Sequence, residues 1–278
     1  MADAARLDSR VSAFRALHAS GCFLMPNPWD VGGARLLAHL GFPAIATTSA
    51  GFAWTIGRPD TRIRLEDALT HLRLVAAAVA VPVNADFEGG FAVAPEAVAA
   101  NVRAATATGV AGLSIEDSTG SPDHPLYDSG LAVERIAAAR QAIDESGTGV
   151  LLTARTEGFI VGRPDLDETI RRLRAFAAAG ADCLYAPGIR DRDAIKAVVD
   201  AAAPTPVNLL IAADFITVAE AAALGVRRIS VGGALARTAW SALMGAALEM
   251  RDQGTFGALA AANVPSSTLN GLFDRPTP

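Results

Sequence analysis

Charged side chains follow directly after three short apolar runs of the sequence. Asp86 and Glu88 follow the run at 81–85, Glu116 and Asp117 follow the run at 111–115, and Arg155 and Glu157 follow the run at 150–154. Carboxylate oxygens are the donors that Mg²⁺ and Mn²⁺ prefer. A guanidinium group binds a carboxylate through two parallel hydrogen bonds. If the ends of these runs meet in space, they predict a site for a divalent cation and an anionic substrate.

Apolar runs of this kind alternate with helical patterns along the chain. Runs without polar alternation are typical of strands that are buried on both faces. Eight strands are predicted, at Cys22–Pro26, Ala44–Thr48, Val81–Ala85, Gly112–Ile115, Val150–Ala154, Cys183–Ala186, Val207–Ile211 and Arg228–Val231. Helices are predicted at Val31–Leu40, Leu65–Val79, Pro95–Thr108, Ala132–Glu145, Leu166–Ala179, Arg192–Ala201, Thr217–Leu224 and Leu235–Gln253, after an amphipathic helix within Met1–Ser20.

Glycine follows five of these helices, as expected for left-handed helix caps, at Gly41, Gly109, Gly147, Gly180 and Gly225. The repeated unit of helix, glycine and strand predicts an α/β fold, a (β/α)₈ TIM barrel. A doubly wound open sheet is the alternative. Eight units, and the lack of a Gly-x-Gly-x-x-Gly pattern after the first strand, favour the barrel.

In a (β/α)₈ barrel the carboxyl ends of all strands form one mouth. Asp86, Glu88 and Glu116 are therefore the candidate metal ligands. Arg155 is either a substrate clamp or a structural ion-pair partner of Glu157 or Glu116. Asn208 also lies at a strand end.

Several loops after these strands carry further candidates. Thr48–Phe52 is a small-residue loop whose N–H groups offer an oxyanion site or simply form a tight turn. Asp60 either reaches the mouth or caps the next helix. The glycines of Ser230–Gly233 either bind phosphate or allow close helix packing. The polar stretch Ser118–Gly130 has the length of a lid, and His124 and Tyr127 within it are acid/base candidates or solvated loop residues.

Composition limits the class of protein. The chain has 278 residues and a formal net charge of -5, without the basic surface that nucleic acid requires. It has neither a membrane-length apolar run nor a signal-peptide pattern. Two cysteines, Cys22 and Cys183, are predicted to be buried and reduced, which indicates a cytoplasmic location. We expect a single domain over residues 1–278, with a C-terminal helical extension from about 235 and an irregular segment after Gly254 that packs on another subunit.

The motifs together resemble the isocitrate lyase/phosphoenolpyruvate mutase superfamily over nearly the whole chain. The matching segments are 25–30 (MPNPWD), 48–51 (TSAG), 57–60 (GRPD), 84–86 (NAD), 114–117 (SIED), 154–157 (ARTE) and Asn208. The resemblance implies a barrel whose eighth helix is exchanged between subunits, in homotetramers built as dimers of dimers.

The resemblance also implies Mg²⁺ at the carboxylate mouth and a small 2-oxo or 2-hydroxy carboxylic acid as the substrate. By this resemblance Asp60, Asp86 and Glu116 lie at metal-shell positions and Arg155 binds the substrate. Ser49, Ala50 and Gly51 form the oxyanion loop, and Asp60 and Asn208 complete the predicted substrate-binding set.

Two departures from the family pattern shape the functional hypotheses. Asn84 stands where the family often has the first Asp of an Asp-x-Asp pair, and Glu88 is added after Asp86. The Lys-Lys/Arg-Cys-Gly-His loop of the lyases and the Lys-x-Asn-Ser loop of the mutases are both missing. The first hypothesis is a Mg²⁺-dependent carbon–carbon lyase that forms an enolate-like anion. The alternatives are a phosphonopyruvate hydrolase or mutase type of enzyme, and a catalytically inactive barrel that binds oxo acids.

Overall fold

A computed structural model describes residues 2–261 and 264–274 and contains the eight predicted strands. They are β1 Phe23–Met25, β2 Ile45–Ala46, β3 Val83–Asp86, β4 Gly112–Glu116, β5 Leu151–Arg155, β6 Cys183–Tyr185, β7 Val207–Leu210 and β8 Arg228–Ser230. All pairs are parallel, in the order β1-β8-β7-β6-β5-β4-β3-β2. The N–H of Ala46 donates to the carbonyl of Pro26 at 3.0 Å and joins the two edge strands. The (β/α)₈ barrel is therefore confirmed.

Helices surround the strands close to the predicted positions. They are α1 Ala2–Ala19, α2 Val31–His39, α3 Ser49–Thr55, α4 Leu65–Ala78, α5 Pro95–Thr106, α6 Ser129–Ser146, α7 Leu166–Ala178, α8 Arg192–Ala202, α9 Val218–Ala223, α10 Ala234–Gln253, α11 Gly257–Ala261 and α12 Ser266–Phe273. Helix α6 begins three residues earlier than predicted, which shortens the loop that precedes it. Helix α3 was not predicted. The segment after Gly254 contains α11 and α12, so the expectation of irregular structure there was wrong.

Side-chain caps set the beginnings of several helices. The Asp30 carboxylate accepts from the N–H of Gly33 at α2, and the Asp191 carboxylate accepts from the N–H of Ala194 at α8. At α9 the hydroxyl of Thr217 and the carboxylate of Glu220 form a reciprocal capping box. Short polar side chains are favoured at these positions because they satisfy N–H groups that have no partner in the first helical turn.

Helix α1 closes the end of the barrel that is opposite to the mouth. The ring of Phe14 is fully buried. A Cβ at Gly112 on β4 would lie only 2.6 Å from Cε1 of Phe14, so glycine makes room for that ring. His18, one turn further along α1, packs edge-on against Phe14. Phe14 therefore fills the barrel end where β4 begins.

The C-terminal helices differ in how they meet the barrel. Leu272 on α12 is buried, and the Phe273 ring lies 5.7 Å from the guanidinium carbon of Arg35 on α2. Helix α10 buries only Ala236 and exposes a row of large apolar side chains, including Trp240, Leu243, Met244, Leu248 and Met250. The predicted C-terminal tail, Arg275–Pro278, lies outside the described residues. Within the described residues, no helix is both long enough and apolar enough to cross a membrane.

Candidate active site

Arg155 occupies the centre of a ring of carboxylates at the mouth. Its Nη1 lies 3.1 Å from Oε2 of Glu116 and 3.5 Å from Oδ1 of Asp86, and its Nε donates to Oε1 of Glu157. Although burial alone lowers it, Glu116 and Glu157 raise the pKa of Arg155 well above its usual value. The structural ion pairs considered for Arg155 therefore exist, and they hold a charged guanidinium at the mouth.

Asp86 ends β3 and joins this ring to the loop after β2. Its Oδ2 accepts hydrogen bonds from the N–H and the hydroxyl of Ser49, both at 2.9 Å. Its backbone N–H donates to Oγ1 of Thr47, also at 2.9 Å. The two Ser49 donors thus fix the orientation of the Asp86 carboxylate, and Thr47 holds the Asp86 backbone.

Glu88 is the least satisfied carboxylate of the group. Its backbone has φ +46, a left-handed conformation that is uncommon for a residue with a side chain. Its Oε1 is buried and, within the described part of the chain, has no hydrogen-bond partner. Burial, followed by repulsion from Asp86 and Asp60, raises the pKa of Glu88 to about 8. A buried oxygen without a donor in a carboxylate-rich mouth is what a cation-binding site provides.

Within residues 2–261 and 264–274, no three His, Cys, Asp or Glu side chains are gathered closely enough to enclose a metal ion by themselves. The reason is Arg155, which lies between Asp86, Glu116 and Glu157. Mg²⁺ usually takes one or two protein carboxylates and keeps several of its waters. The donor set of Asp86, Glu88 and Glu116 therefore fits Mg²⁺ or Mn²⁺ better than a metal that needs a complete protein cage.

Asp60 lies in the loop between α3 and α4. Desolvation and then the charge of Asp86 raise the pKa of Asp60, while Arg155 acts in the opposite direction. Asp60 therefore interacts electrostatically with the charged residues of the mouth. Its Oδ1 accepts from the N–H of Thr61 at 2.9 Å. The N-cap of α4 is Arg64, so the possibility that Asp60 caps this helix was wrong.

The predicted oxyanion loop forms a helical turn instead. Ser49, Ala50 and Gly51 begin α3, and Oγ1 of Thr48 caps this helix by accepting from the N–H of Gly51. The N–H of Ser49 is already committed to Asp86. A Cβ at Gly51 would lie 2.7 Å from Cβ of Trp29, so glycine allows close packing there. The expectation of a simple loop was wrong because the Thr48 cap was not recognised.

The two acid/base candidates lie in different places. Tyr127 lines a cavity of about 350 Å³ together with Glu88 and Glu116, and its ring lies 4.0 Å from the guanidinium carbon of Arg135. His124 is exposed and lines another cavity, between the loop after β4 and the start of α7. The structure therefore brings Tyr127 to the carboxylates and leaves His124 outside the mouth.

Asp117 follows β4, as the sequence indicates, but the sequence analysis assigned it no role in the site. Its carboxylate accepts from the Thr156 hydroxyl and from the Glu157 N–H, both at 2.8 Å, and it pairs with Arg172 at 3.1 Å. These bonds fix the backbone that follows Arg155. Asp117 follows β4, and Thr156 and Glu157 follow the neighbouring strand β5. The position of these two motifs at the ends of neighbouring strands was the sequence signal that could have revealed this role.

The floor of the mouth contains Asn208 and the end of β8. Nδ2 of Asn208 donates to Oγ of Ser230 at 2.9 Å, and its Oδ1 accepts from Nε of Arg228 at 2.8 Å. The N–H groups of Val231 and Gly232 donate to Oδ1 of Asn27 at 2.9 and 3.0 Å. Asn27 thus joins the segment after β8 to the segment after β1, while Asn208 and Arg155 line the same cavity.

The cysteines differ in burial. Cys183 on β6 is fully buried, whereas Cys22 is only partly buried because it precedes β1 at the rim of the barrel. The expectation that both are buried was therefore wrong for Cys22.

Comparison with known proteins identifies the family. The model of the family described as phosphoenolpyruvate phosphomutase matches residues 14–251. The chain is 30% identical over 209 residues to 2-methylisocitrate lyase of Escherichia coli K12, covering 70% of this chain and 68% of that enzyme. It is 49% identical to a proposed lyase/mutase from Burkholderia cenocepacia J2315, with a TM-score of 0.94 and 98% of both chains covered. Phosphonopyruvate hydrolase, solved with oxalate and Mg²⁺, gives 26% identity and a TM-score of 0.84, with 95% of both chains covered. The chain thus belongs to the phosphoenolpyruvate phosphomutase family, within the isocitrate lyase/phosphoenolpyruvate mutase superfamily.

Proposed function

We propose that this protein is a Mg²⁺-dependent lyase that cleaves a carbon–carbon bond in a small 2-hydroxy- or 2-oxo-carboxylic acid. The observation that carries the proposal is the charged guanidinium of Arg155 within the ring of Asp86, Glu116 and Glu157. The likeness to 2-methylisocitrate lyase supports carbon–carbon cleavage. The oxalate and Mg²⁺ bound to phosphonopyruvate hydrolase support a small carboxylate ligand and a metal.

Each residue of the mouth has a proposed role. Asp86, Glu88 and Glu116 would hold Mg²⁺, and the ion would supply positive charge next to the anion that develops during cleavage. Arg155 exchanges its bonds with the surrounding carboxylates for two hydrogen bonds to the substrate carboxylate. Ser49 keeps the Asp86 carboxylate in place, and Asp117 keeps the backbone of Thr156 and Glu157 in place. Breaking the carbon–carbon bond leaves an enolate-like anion next to the Arg155 guanidinium, which stabilises its charge.

We assign to Tyr127 the proton that the enolate-like anion takes up after the carbon–carbon bond has broken. This side chain shares a cavity with Glu88 and Glu116 and lies beside the Arg135 guanidinium, whereas His124 is exposed and lines a different cavity. The cavity of about 350 Å³ next to Tyr127 accommodates the part of the substrate that leaves.

A screen of 2-hydroxy and 2-oxo acids tests this function, with and without Mg²⁺, by following pyruvate, glyoxylate and phosphate. We expect pyruvate or glyoxylate to form only with Mg²⁺. Release of phosphate from phosphonopyruvate would instead identify the second candidate, a P–C bond enzyme, which the likeness to phosphonopyruvate hydrolase favours. Product formation at the same rate after chelation with EDTA would contradict the metal-dependent proposal.

The proposal includes a homo-oligomer in which a second copy covers α10. This helix exposes Leu243 at 59% and Met244 at 60% of their surface, and contiguous apolar area of this kind marks protein interfaces.

The proposal also includes a cytoplasmic location, which the two free cysteines in the described chain support.

A further inference from the structure

A buried arginine on α6 lies behind the carboxylates of the mouth. Arg135 is 1% exposed, and its guanidinium carbon lies 4.0 Å from the centre of the Tyr127 ring. Within the described residues it makes no ion pair, and its hydrogen bonds go to backbone carbonyls. A buried charge without an acidic partner is costly to retain, which calls for a reason.

The carbonyls that Arg135 binds belong to two neighbouring segments of the mouth. Its Nη2 donates to the carbonyl of Ala92 at 2.9 Å and to that of Gly89, both in the loop after β3. Its Nη1 donates to the carbonyl of Glu116, at the end of β4, at 3.2 Å. A Cβ at Gly89 would lie 3.2 Å from Nη2, so glycine lets the guanidinium approach the backbone. Arg135 therefore joins the loop after β3 to the end of β4.

The loop after β3 contains two residues in a left-handed conformation. The φ angle is +46 at Glu88 and +56 at Phe91, which is unfavourable for residues that carry a side chain. Such residues persist where the surrounding contacts over-determine the backbone. The carbonyl of Glu88 accepts from the N–H of Glu116 at 3.0 Å. The carbonyl of Gly90 accepts from Nδ2 of Asn101 at 2.9 Å. Together with the two bonds from the guanidinium, four carbonyls of this loop are held.

The backbone of this loop determines where the Glu88 carboxylate lies. Glu88 lines one cavity with Glu116 and Tyr127, and its Oε1 is buried without a hydrogen-bond partner in the described chain. Because φ sets the direction in which the Cα–Cβ bond leaves the chain, loss of the left-handed conformation would reorient this carboxylate. The contacts that hold the loop therefore also hold a candidate metal ligand.

We propose that Arg135 is a positioning residue of the metal site, which holds the loop after β3 so that the Glu88 carboxylate is available to a divalent cation. It acts through the backbone. The buried guanidinium is retained because it offers several donors in one fixed plane, and three carbonyls from two segments require them. This inference rests on the proposed function, since it takes Glu88 as a ligand of Mg²⁺ or Mn²⁺.

The test measures the binding of Mn²⁺ alone to the intact chain by electron paramagnetic resonance. Arg135→Met loses every donor, and we expect it to weaken Mn²⁺ binding about tenfold, as the loss of a group that supports a metal ligand does. Arg135→Lys, which keeps the charge and a donor, is expected to recover part of that affinity. Arg10→Met is the matched control. Arg10 is 4% exposed and also donates to backbone carbonyls, those of Val79 and Ala80, which precede β3 at its other end.

A double variant separates positioning from a general loss of structure. Glu88→Gln removes the charged ligand itself. If Arg135 acts through Glu88, adding Arg135→Met to Glu88→Gln weakens Mn²⁺ binding little further, whereas independent effects would multiply. Asn101→Ala frees only the carbonyl of Gly90 and is expected to weaken Mn²⁺ binding severalfold. It takes the place of Arg135→Met in this comparison if that variant does not fold.

Four results would overturn the inference. They are wild-type affinity for Mn²⁺ in Arg135→Met, an equal loss in Arg10→Met, multiplying effects in the double variant, and no Mn²⁺ binding by the wild type. The lyase proposal is decided separately by product formation in the screen of acids, so either proposal can fail while the other holds.

Discussion

Ser49 holds one oxygen of Asp86 from two directions, because its N–H and its hydroxyl both lie 2.9 Å from Oδ2. The other oxygen, Oδ1, faces Nη1 of Arg155 at 3.5 Å. The first turn of α3 therefore orients a carboxylate of the mouth. This relationship links the segment after β2 to the proposed metal site through Asp86.

The first prediction concerns Asp86→Asn. We expect this change to weaken the Mg²⁺-dependent affinity for oxalate at least about 100-fold. The reason is that an amide is a neutral ligand, and a buried charged contact is worth several kcal/mol. Calorimetry with oxalate and Mg²⁺ measures the loss. Asp123→Asn, in the exposed loop after β4, is the matched control. Equal affinity in the wild type and Asp86→Asn would exclude Asp86 as a ligand.

The barrel and its carboxylates were predictable because both depend on local patterns. A continuous apolar run predicts a buried strand, and a residue directly after such a strand must lie at the mouth, as Asp86, Glu116 and Arg155 do. The Gly after a helix marks its end, as at Gly147, where φ is +65. These features require only the order of residues along the chain.

The features that were missed depend on contacts between distant segments. The turn at Ser49–Gly51 is helical because Thr48 caps it, and its donors are occupied by Asp86, 37 residues away. Asp117 stabilises the loop after β5 through Glu157. Asn208 on β7 accepts from Arg228 and donates to Ser230 on β8. Apart from the Asp117 contact, which neighbouring strand-end motifs suggest, these pairings have no signal in the local sequence.

The second prediction concerns Arg155→Lys. The lysine keeps the positive charge among Asp86, Glu116 and Glu157 but loses the planar fork that binds a carboxylate at two points. We expect kcat/KM on the substrate identified by the screen to fall about 100-fold, or about 3 kcal/mol. The free energy of unfolding should change much less than in Arg155→Met, which leaves buried carboxylates without a counterion. Unchanged kcat/KM in Arg155→Lys would assign Arg155 a structural role alone.

The third prediction concerns acid stability. Burial, and then the charge of Arg228, lowers the pKa of His18 to about 3, and burial lowers the pKa of His71 to about 4. Both values lie below the ordinary 6.5, so the folded state binds fewer protons than the unfolded state. Because both histidines are buried in the neutral form, the free energy of unfolding decreases as the pH falls from about 6.5 towards 4. The decrease is up to about 1.4 kcal/mol per pH unit for each histidine.

Variants isolate this effect from that of Glu88, whose raised pKa acts in the opposite direction. We expect His18→Gln and His71→Gln to lose less stability than the wild type between pH 6.5 and 4.5 in urea unfolding. Phe14→Leu is the control, since it perturbs the packing around His18 on α1 without removing a titrating group. Parallel stability curves for the wild type and both glutamine variants would show that neither histidine is buried in its neutral form.

The fourth prediction concerns the exposed face of α10. If a second copy covers this helix, Leu243→Asp places a charge in an apolar interface and removes about 2 kcal/mol of burial per subunit. We expect the wild type to be a homo-oligomer in light scattering, and the variant to dissociate at the same micromolar concentration. Leu74→Asp is the matched control, because Leu74 is 57% exposed on α4, far along the chain from α10. An oligomer that tolerates Leu243→Asp but dissociates with Leu74→Asp would place the interface on α4, and α10 would then need another explanation for its apolar face.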